Sequence, residues 1–508
     1  MPTALPLGAA VPWGPYRMKR IVNVTDGPRM HRVLGVRDLV LLNVAAVIAL
    51  RWLSTAAQIG PSSLALWAFA LMLFFVPLAL AVLELSSRLP GEGGLYLWSK
   101  TAFGDLHGFI AGWSYWTSNL VFFPSLLLFV SGVSLYMAGG RWLPLSGNAI
   151  YNAVFCLLAL WGATVLNIVG LSRAKWLQNT GGVATWLVTA LIVLSGGWAW
   201  YRFGTATAIT PSNVLPHMGS VSALATFAII AFAYAGIELG PILGGEIKEP
   251  RKTIPRALLI AGVMIAVIYI AGTAALLIAL PTRQIDLIAG IPQALAAVGE
   301  RIGWPLFGPL TAGLLALSQL GSFGAWITGT ARLPFVVGVD RYLPKPLAVL
   351  HPKYGTPYVA LLTQSSVVTI ILLAALSSAT IHETYSILID MTVILGLLPL
   401  LYIFAALPML RRRAGADTQG IVVVLGGSFG CWLVSGLGFA TTLLAIVTSM
   451  VPPEHSSHPG LFFLKVVGGS CLIVAIGLTF YVRGRHAQRR DSALMLHPPG
   501  NHAVDNIE

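Results

Sequence analysis

The sequence predicts an all-α integral membrane protein with about twelve transmembrane helices, on three observations. Of its 508 residues 56% are hydrophobic and only 10% charged, with a mean hydropathy of +0.80; a soluble protein carries about a quarter charged residues. The apolar residues gather in twelve runs, and a helix needs roughly 20 of them to cross a bilayer. Lys and Arg collect in alternate loops, the pattern that sets membrane topology. The 15 Trp and 53 Gly fit the same class, because interfaces favour Trp and packed membrane helices favour small residues.

In order, the runs are 38–59, 64–85, 108–138, 150–170, 181–201 and 221–243, then 257–280, 305–338, 358–378, 384–409, 422–449 and 461–482. Those at 108–138 and 305–338 exceed one span and predict tilt or extra turns beyond the lipid. The more polar stretch from Pro281 to Pro305 predicts an outer loop with a short helix. With the N-terminus inside, twenty-five Lys and Arg fall in cytoplasmic segments. Four (Arg141, Arg202, Arg283 and Arg301) fall outside, and Arg51 and Lys465 lie within spans. That asymmetry places both termini in the cytoplasm of a multi-pass protein of the plasma or inner membrane. The chain then divides into a tail at 1–36, a ten-helix core at 37–410, two helices at 411–482 and a tail at 483–508. Both tails read as mobile polar ends.

Several function classes fall away. The net charge of +13 sits in short loops between spans, so it reads as topology and not as a nucleic-acid face. Cys156, Cys431 and Cys471 lie in apolar runs without a CxxC or Cys/His cluster, so neither a disulfide framework nor a zinc site is expected. The first 35 residues have no apolar core, and no cleavable signal peptide is expected. Walker A and HExxH motifs are absent, and no cofactor is implied. The segment Gly426-Gly427-Ser428-Phe429-Gly430 matches GxSxG but opens an apolar span with no strand before it. Close helix packing explains it better than a nucleophile elbow.

Charge at membrane depth is more informative. An Arg at a span centre costs about 2.5–3.5 kcal/mol on an insertion scale, so it faces a cavity or a partner. Arg51 and Glu238 sit mid-span; Glu84, Asp390 and Lys465 lie nearer span ends or pair within the bundle. The sixth span reads Phe232-Ala233-Tyr234-Ala235-Gly236-Ile237-Glu238-Leu239-Gly240-Pro241, with Gly236, Gly240 and Gly244 every four residues. Such spacing alone marks a packing face. A glutamate beside glycines and Pro241, which lacks a backbone donor, points further, to a broken helix lining a polar cavity.

These residues resemble the amino acid–polyamine–organocation superfamily of transporters. The Phe232–Glu238 run and the following Gly245-Glu246-Ile247-Lys248-Glu249-Pro250-Arg251-Lys252 look like that family's sixth helix and loop. Pro90-Gly91-Glu92-Gly93-Gly94-Leu95-Tyr96 is similar to its Pro-x-x-Gly-Gly-x-Tyr signature. Asp340-Arg341-Tyr342-Leu343-Pro344-Lys345, and His351 through Pro357, match its loop after span eight. The resemblance implies a 5+5 inverted-repeat core with discontinuous helices 1 and 6, plus two C-terminal helices. Free amides at the two breaks would then hold a substrate carboxylate, and free carbonyls its ammonium or a cation.

Two positions depart from the family pattern. Where the family has Gly-x-Gly, this chain reads Ala49-Leu50-Arg51, which replaces close backbone approach by a charge. In span five Thr185 stands where many relatives carry a lysine. The resulting expectation is a secondary active transporter, symporter or exchanger, of an amino acid or related amine, not an enzyme. Arg51 would pair with the substrate carboxylate, and Ala49, Leu50 and Gly236 would offer backbone groups. Phe232 and Tyr234 would line or gate the pocket, and Glu238 would respond to protons or gate. Its partners would be the substrate, the bilayer, and a proton or counter-substrate. A transport-related sensor and an intramembrane enzyme are the rivals; the enzyme lacks a nucleophile or His/Asp constellation within the spans. The bland alternative for Arg51 is a structural pair with Glu238.

Overall fold

The computed structural model describes residues 32–138, 141–216, 221–285, 290–301, 303–377, 381–414, 421–451 and 459–496. Among these residues ten helices are long and apolar enough to cross a membrane, or eleven with the bent pair α1 (Val36–Val47) and α2 (Arg51–Ile59) taken as one span. The remaining expected span, at 221–243, does not qualify because it is interrupted. It is helical over α8 (Val221–Ala233), turns, and resumes for one turn as α9 (Leu239–Ile242). Between α2 and α8 come α3 (Ser62–Arg88), α4 (Leu95–Phe103), α5 (Asp105–Ala138), α6 (Ala149–Ile168) and α7 (Leu171–Phe203). After α9 come α10 (Pro250–Ala279), α11 (Gly290–Arg301), α12 (Phe307–Gly338), α13 (Tyr358–Leu376) and α14 (Ile387–Arg413). Two more spans, α15 (Gly427–Ser449) and α16 (Pro459–Arg490), close the chain.

The order of shapes repeats. A broken span, a long span, a short connecting helix, an overlong span, a short span and another long span occur twice, from α1 to α7 and from α8 to α14. Five spans is an odd number, so the second set enters from the opposite face and runs inverted. The connecting helices obey this: α4 follows the second span and α11 the seventh, on opposite faces. Helix α11 is the short helix expected in the 281–305 stretch.

Backbone pairings fix which loops share a face. On one side the Val33 and Leu34 amides donate to the Glu246 carbonyl at 2.9 and 3.1 Å, and Gly93 N–H donates to Ile242 at 3.0 Å. We call this the basic side. On the other, Ala206 and Thr207 donate to Ile278 and Leu277 at 3.0 and 3.1 Å, and Gln58 Nε2 reaches the Ile285 carbonyl at 2.7 Å.

Small residues set the helix spacing. Helices α7 and α12 touch at Gly181 and Gly321, where a Cβ on Gly181 would lie 2.3 Å from the Gly321 Cα. Between apolar helices in lipid, association depends on such close packing and not on the hydrophobic effect. The last helix does not stop near 482: it continues to Leu496. Residues 483–496 supply Arg, Gln, Ala, Leu and Met, good helix formers. Gly484 lets the helix lie on Tyr342, where a Cβ would come within 2.7 Å of the Tyr342 Cα. Residues 1–31 and 497–508 of the expected tails lie outside the described residues.

Gly181→Ala should therefore destabilise the detergent-purified protein by about 1–3 kcal/mol, the usual cost of overpacking. Gly162→Ala, which meets nothing within 4 Å, should hold or raise the melting temperature in the same assay.

Candidate functional site

A helix break exposes N–H and C=O groups that water cannot reach at membrane depth, so the protein or a ligand must meet them. The first span bends by 44° between α1 and α2, through Ile48, Ala49 and Leu50. Three freed carbonyls find side chains from neighbouring helices. Trp326 Nε1 on α12 donates to Ala46 O at 2.9 Å. The Tyr269 hydroxyl on α10 lies 2.6 Å from Val47 O and 2.9 Å from Ala233 O, so its one proton serves both breaks. In the sixth span Gly236 has φ +125°, a conformation side chains rarely adopt. A Cβ there would also meet Trp326 at 3.1 Å and Val47 at 3.2 Å. The Gly236 N–H donates to Glu238 Oε2 at 2.9 Å, and Tyr115 OH on α5 donates to Glu238 Oε1 at 2.8 Å.

Between the breaks lies a cavity of about 40 Å³, space for roughly three waters. Anything the size of an amino acid would fit there only if the helices part. Of the residues expected to form the site, Ala49, Phe232 and Glu238 line this cavity. Arg51 stands behind the wall, 2% exposed, its guanidinium 4.6 Å from the Trp52 ring and 4.7 Å from that of Phe122; both rings do line it. Leu50 is buried at the start of α2. Tyr234 turns away from the cavity into an aromatic cluster, edge-on to Trp67 and Tyr269 at 5.2 Å and stacked on Phe75 at 4.9 Å. Gly236 takes part through its amide. Both carboxylate oxygens of Glu238 are engaged by Tyr115 and Gly236 and not by Arg51. Thr185 pairs with Ser318 on α12 at 2.6 Å, so the position expected to lack a lysine is filled by a neutral hydroxyl pair.

Sequence reasoning missed Tyr115, Tyr269 and Trp326. Each is an aromatic residue in an aromatic-rich span, and nothing in its local sequence marks the one whose polar atom reaches a helix break.

On the basic side the quoted loop motifs meet. Arg332, at the end of α12 and fully buried, forks onto Glu246 at 2.9 and 3.0 Å. Glu92 accepts the Gly245 N–H at 2.7 Å. Tyr96 donates to Asp340, which also takes Lys100 Nζ at 2.6 Å. Burial, and secondarily the neighbouring Glu246 charge, push the Glu92 carboxyl up to about 8, while Arg332 pulls the other way. The side therefore holds one buried Arg332–Glu246 pair, with the Glu92 carboxyl close enough to feel both charges.

The family model described as amino acid permease matches residues 34–475. The chain is 29% identical to an uncharacterised transporter of Legionella pneumophila, over 88% of this chain and 96% of that one. It is 23% identical to a probable agmatine/putrescine antiporter of Lactococcus lactis, over 86% of this chain and 92% of the other. It is 24% identical to a glutamate/γ-aminobutyrate antiporter of the same organism, over 82% and 84%. The crystal structure of MhsT in complex with L-phenylalanine superposes with a TM-score of 0.62 at 13% identity, covering 82% of this chain and 98% of that one. That likeness shows the fold, the inverted-repeat transporter core with two broken helices.

A carboxyl held near 8 when folded, against 4.5 when unpaired, gives stability that is complete below pH 4.5 and is lost as pH rises through 8. Glu92→Gln, neutral throughout, should remove this slope from the melting temperature measured between those pH values.

Proposed function

Because the chain belongs to the amino acid permease family, we propose that it is a secondary active transporter of an amino acid or close amine derivative, working by alternating access. The observation that carries this reading is the cavity between two broken spans, with Glu238 in its wall and Arg51 just behind. A carboxylate and a guanidinium at one cavity suit a zwitterion, while a dication would meet like charge in low dielectric. The relatives named as antiporters favour exchange of substrates over ATP-driven transport, in line with the missing nucleotide motifs.

Within this reading the substrate carboxylate is drawn to Arg51 and to the break amides near Ala49, Leu50 and Gly236. Its amine end meets Glu238 and the rings of Phe232 and Trp52. Glu238 also couples the site to protons. Ionised, it only accepts, and it holds the Gly236 N–H; protonated, it gains a donor and loosens that bond, which frees the amide for a substrate carboxylate. Tyr234 acts from the second layer by fixing the Tyr269 ring. The protein would lie in the plasma or inner membrane with both termini in the cytoplasm, 37–410 forming the transport core.

Counterflow of labelled amino acids into proteoliposomes preloaded with the same unlabelled compound tests the function. Accumulation for at least one amino acid or amine is expected; binding without counterflow across such a panel would leave a sensor. Arg51→Lys should keep the charge but lose the planar fork, weakening binding of free amino acids roughly ten- to a hundredfold while sparing amidated analogues. Equal loss for acid and amide in a destabilised protein would make Arg51 structural. Glu238→Gln should flatten the pH dependence of uptake with binding largely retained, and an unchanged pH profile would remove Glu238 from the coupling step.

A further inference from the structure

One corner of the basic side, well away from the cavity, carries more positive charge than its own carboxylate can satisfy. The segment leading into α15 is strapped to the end of α3. Val424 N–H donates to Glu84 Oε2 at 2.8 Å, and Val422 N–H donates to Ser87 Oγ at 3.2 Å. Two guanidiniums share that one carboxylate: Arg88 Nε donates to Glu84 Oε1 at 2.8 Å, and Arg411 Nη1 lies 3.5 Å from Oε2. The Arg88 side chain is only 5% exposed, yet its Nη1 meets no acceptor among the described residues. Arg412 adds a third charge, its guanidinium 5.1 Å from the ring of Trp432 on α15. Among the described residues, Glu84 is the carboxylate these arginines pair with.

The same corner offers backbone donors and an apolar wall. No side chain caps α15 at Gly426, so the first amides of that helix have no partner within it. Such amides add partial positive charge and are good anion donors. Cys431, in the first turns of α15, feels the charges of Arg411, Glu84 and Arg88 together, which sets the cluster beside the helix start. Next to it Leu425 and Phe429 are 89% and 76% exposed, and Trp432 and Leu433 are exposed as well. A water-soluble anion gains nothing from that wall. A lipid brings a phosphate and apolar chains to both halves at once.

We propose that the corner between α3, α14 and α15 binds one anionic phospholipid. Its phosphate is held by Arg412, Arg411, the open Arg88 Nη1 and the first amides of α15, and its chains lie along Phe429 and Leu433. Guanidiniums fork onto phosphate oxygens, and basic pockets between membrane helices take anionic headgroups by this chemistry. A zwitterionic lipid brings the same phosphate but also a cation of its own, into a corner that already holds three guanidiniums against one carboxylate. The inference needs the protein to lie in a membrane and does not rest on its transporting anything.

The experiment is native mass spectrometry of the purified, delipidated full-length protein, titrated in detergent with phosphatidylglycerol or phosphatidylcholine. Phosphatidylglycerol should fill one site per chain and bind about tenfold more tightly than phosphatidylcholine; equal affinity for the two would overturn the proposal. Inorganic phosphate should not displace the bound lipid. Displacement would give the corner to a free anion and defeat the lipid assignment. Arg412→Gln alters an exposed side chain that rests on the Trp432 ring, and it should weaken phosphatidylglycerol about tenfold while leaving phosphatidylcholine unchanged. Arg413→Gln, at the neighbouring arginine that donates to the Thr101 carbonyl at 2.7 Å, should shift either affinity by no more than about twofold. Equal losses in the two variants would mean diffuse attraction to a basic surface, and the site would be withdrawn. Should Arg412→Gln fail to fold, the comparison of lipids on the wild-type protein decides by itself.

Discussion

The constraint on which the rest of the structure depends is that no backbone group can be left unmet at membrane depth. Breaking a span at Ile48–Leu50 and another at Tyr234–Glu238 creates a place where backbone approaches a cavity, and it also releases several N–H and C=O groups. The protein answers four of these with side chains: α12 through Trp326, α10 through Tyr269, and the sixth span itself through Glu238. The breaks are therefore cross-braced. A displacement of either broken span disturbs hydrogen bonds to the other, because one hydroxyl serves Val47 and Ala233 together.

The basic side uses the opposite chemistry. There helix ends and loops are tied by charges: Arg332 with Glu246, Lys100 with Asp340, and Glu84 with Arg88 on its own helix and with Arg411 on α14. An ion pair such as Arg332–Glu246, wholly buried, contributes less to net stability than its geometry suggests, since desolvation opposes the attraction. Losing one partner is costly, however, so such pairs behave as all-or-none fasteners. In the transport cycle proposed above, such fasteners would favour two discrete states over a continuum.

Much of this could be read beforehand, for physical reasons. Twelve spans and their alternation follow from hydropathy and basic residues because the bilayer imposes both. The sixth-span break was legible because Gly236, Glu238, Gly240 and Pro241 are each unfavourable in a continuous apolar helix, and together they conflict with it. The glycine spacing proved to serve packing as well: a Cβ at Gly240 would meet Asn43 and one at Gly244 would meet Gly91. The loop motifs were legible as strings, but their meeting was not. Nothing in Pro90–Tyr96 says that Glu92 will cap Gly245 or that Tyr96 will find Asp340. Such pairs are set by helix packing across more than a hundred residues of sequence. The aromatic donors were hidden for a related cause. Tyr234 and Tyr269 are both buried tyrosines in apolar spans, yet one packs into a cluster and the other bridges two breaks, and only the depth and rotation of their helices distinguish them.

Arg51 departs from the family pattern at the first break, and its setting there has physical consequences. It opens α2, and a helix N-terminus already carries partial positive charge. A cation there is unfavourable by itself, so its presence asks for compensation nearby. The faces of Trp52 and Phe122 supply part of it, each worth about 0.5–2 kcal/mol to a guanidinium at such distances. Arginine suits this setting better than lysine because its planar, weakly hydrated group stacks on rings. A glycine in its place would bring backbone amides against an incoming carboxylate at close range. In the proposed binding mode the arginine would meet the carboxylate through a side chain instead, at longer reach, and its contacts with Trp52 and Phe122 would tie it to the aromatic wall of the cavity. Binding would then depend on how the Trp52 and Phe122 rings move, and a wall that must part to admit substrate is consistent with a cavity that holds only a few waters when closed.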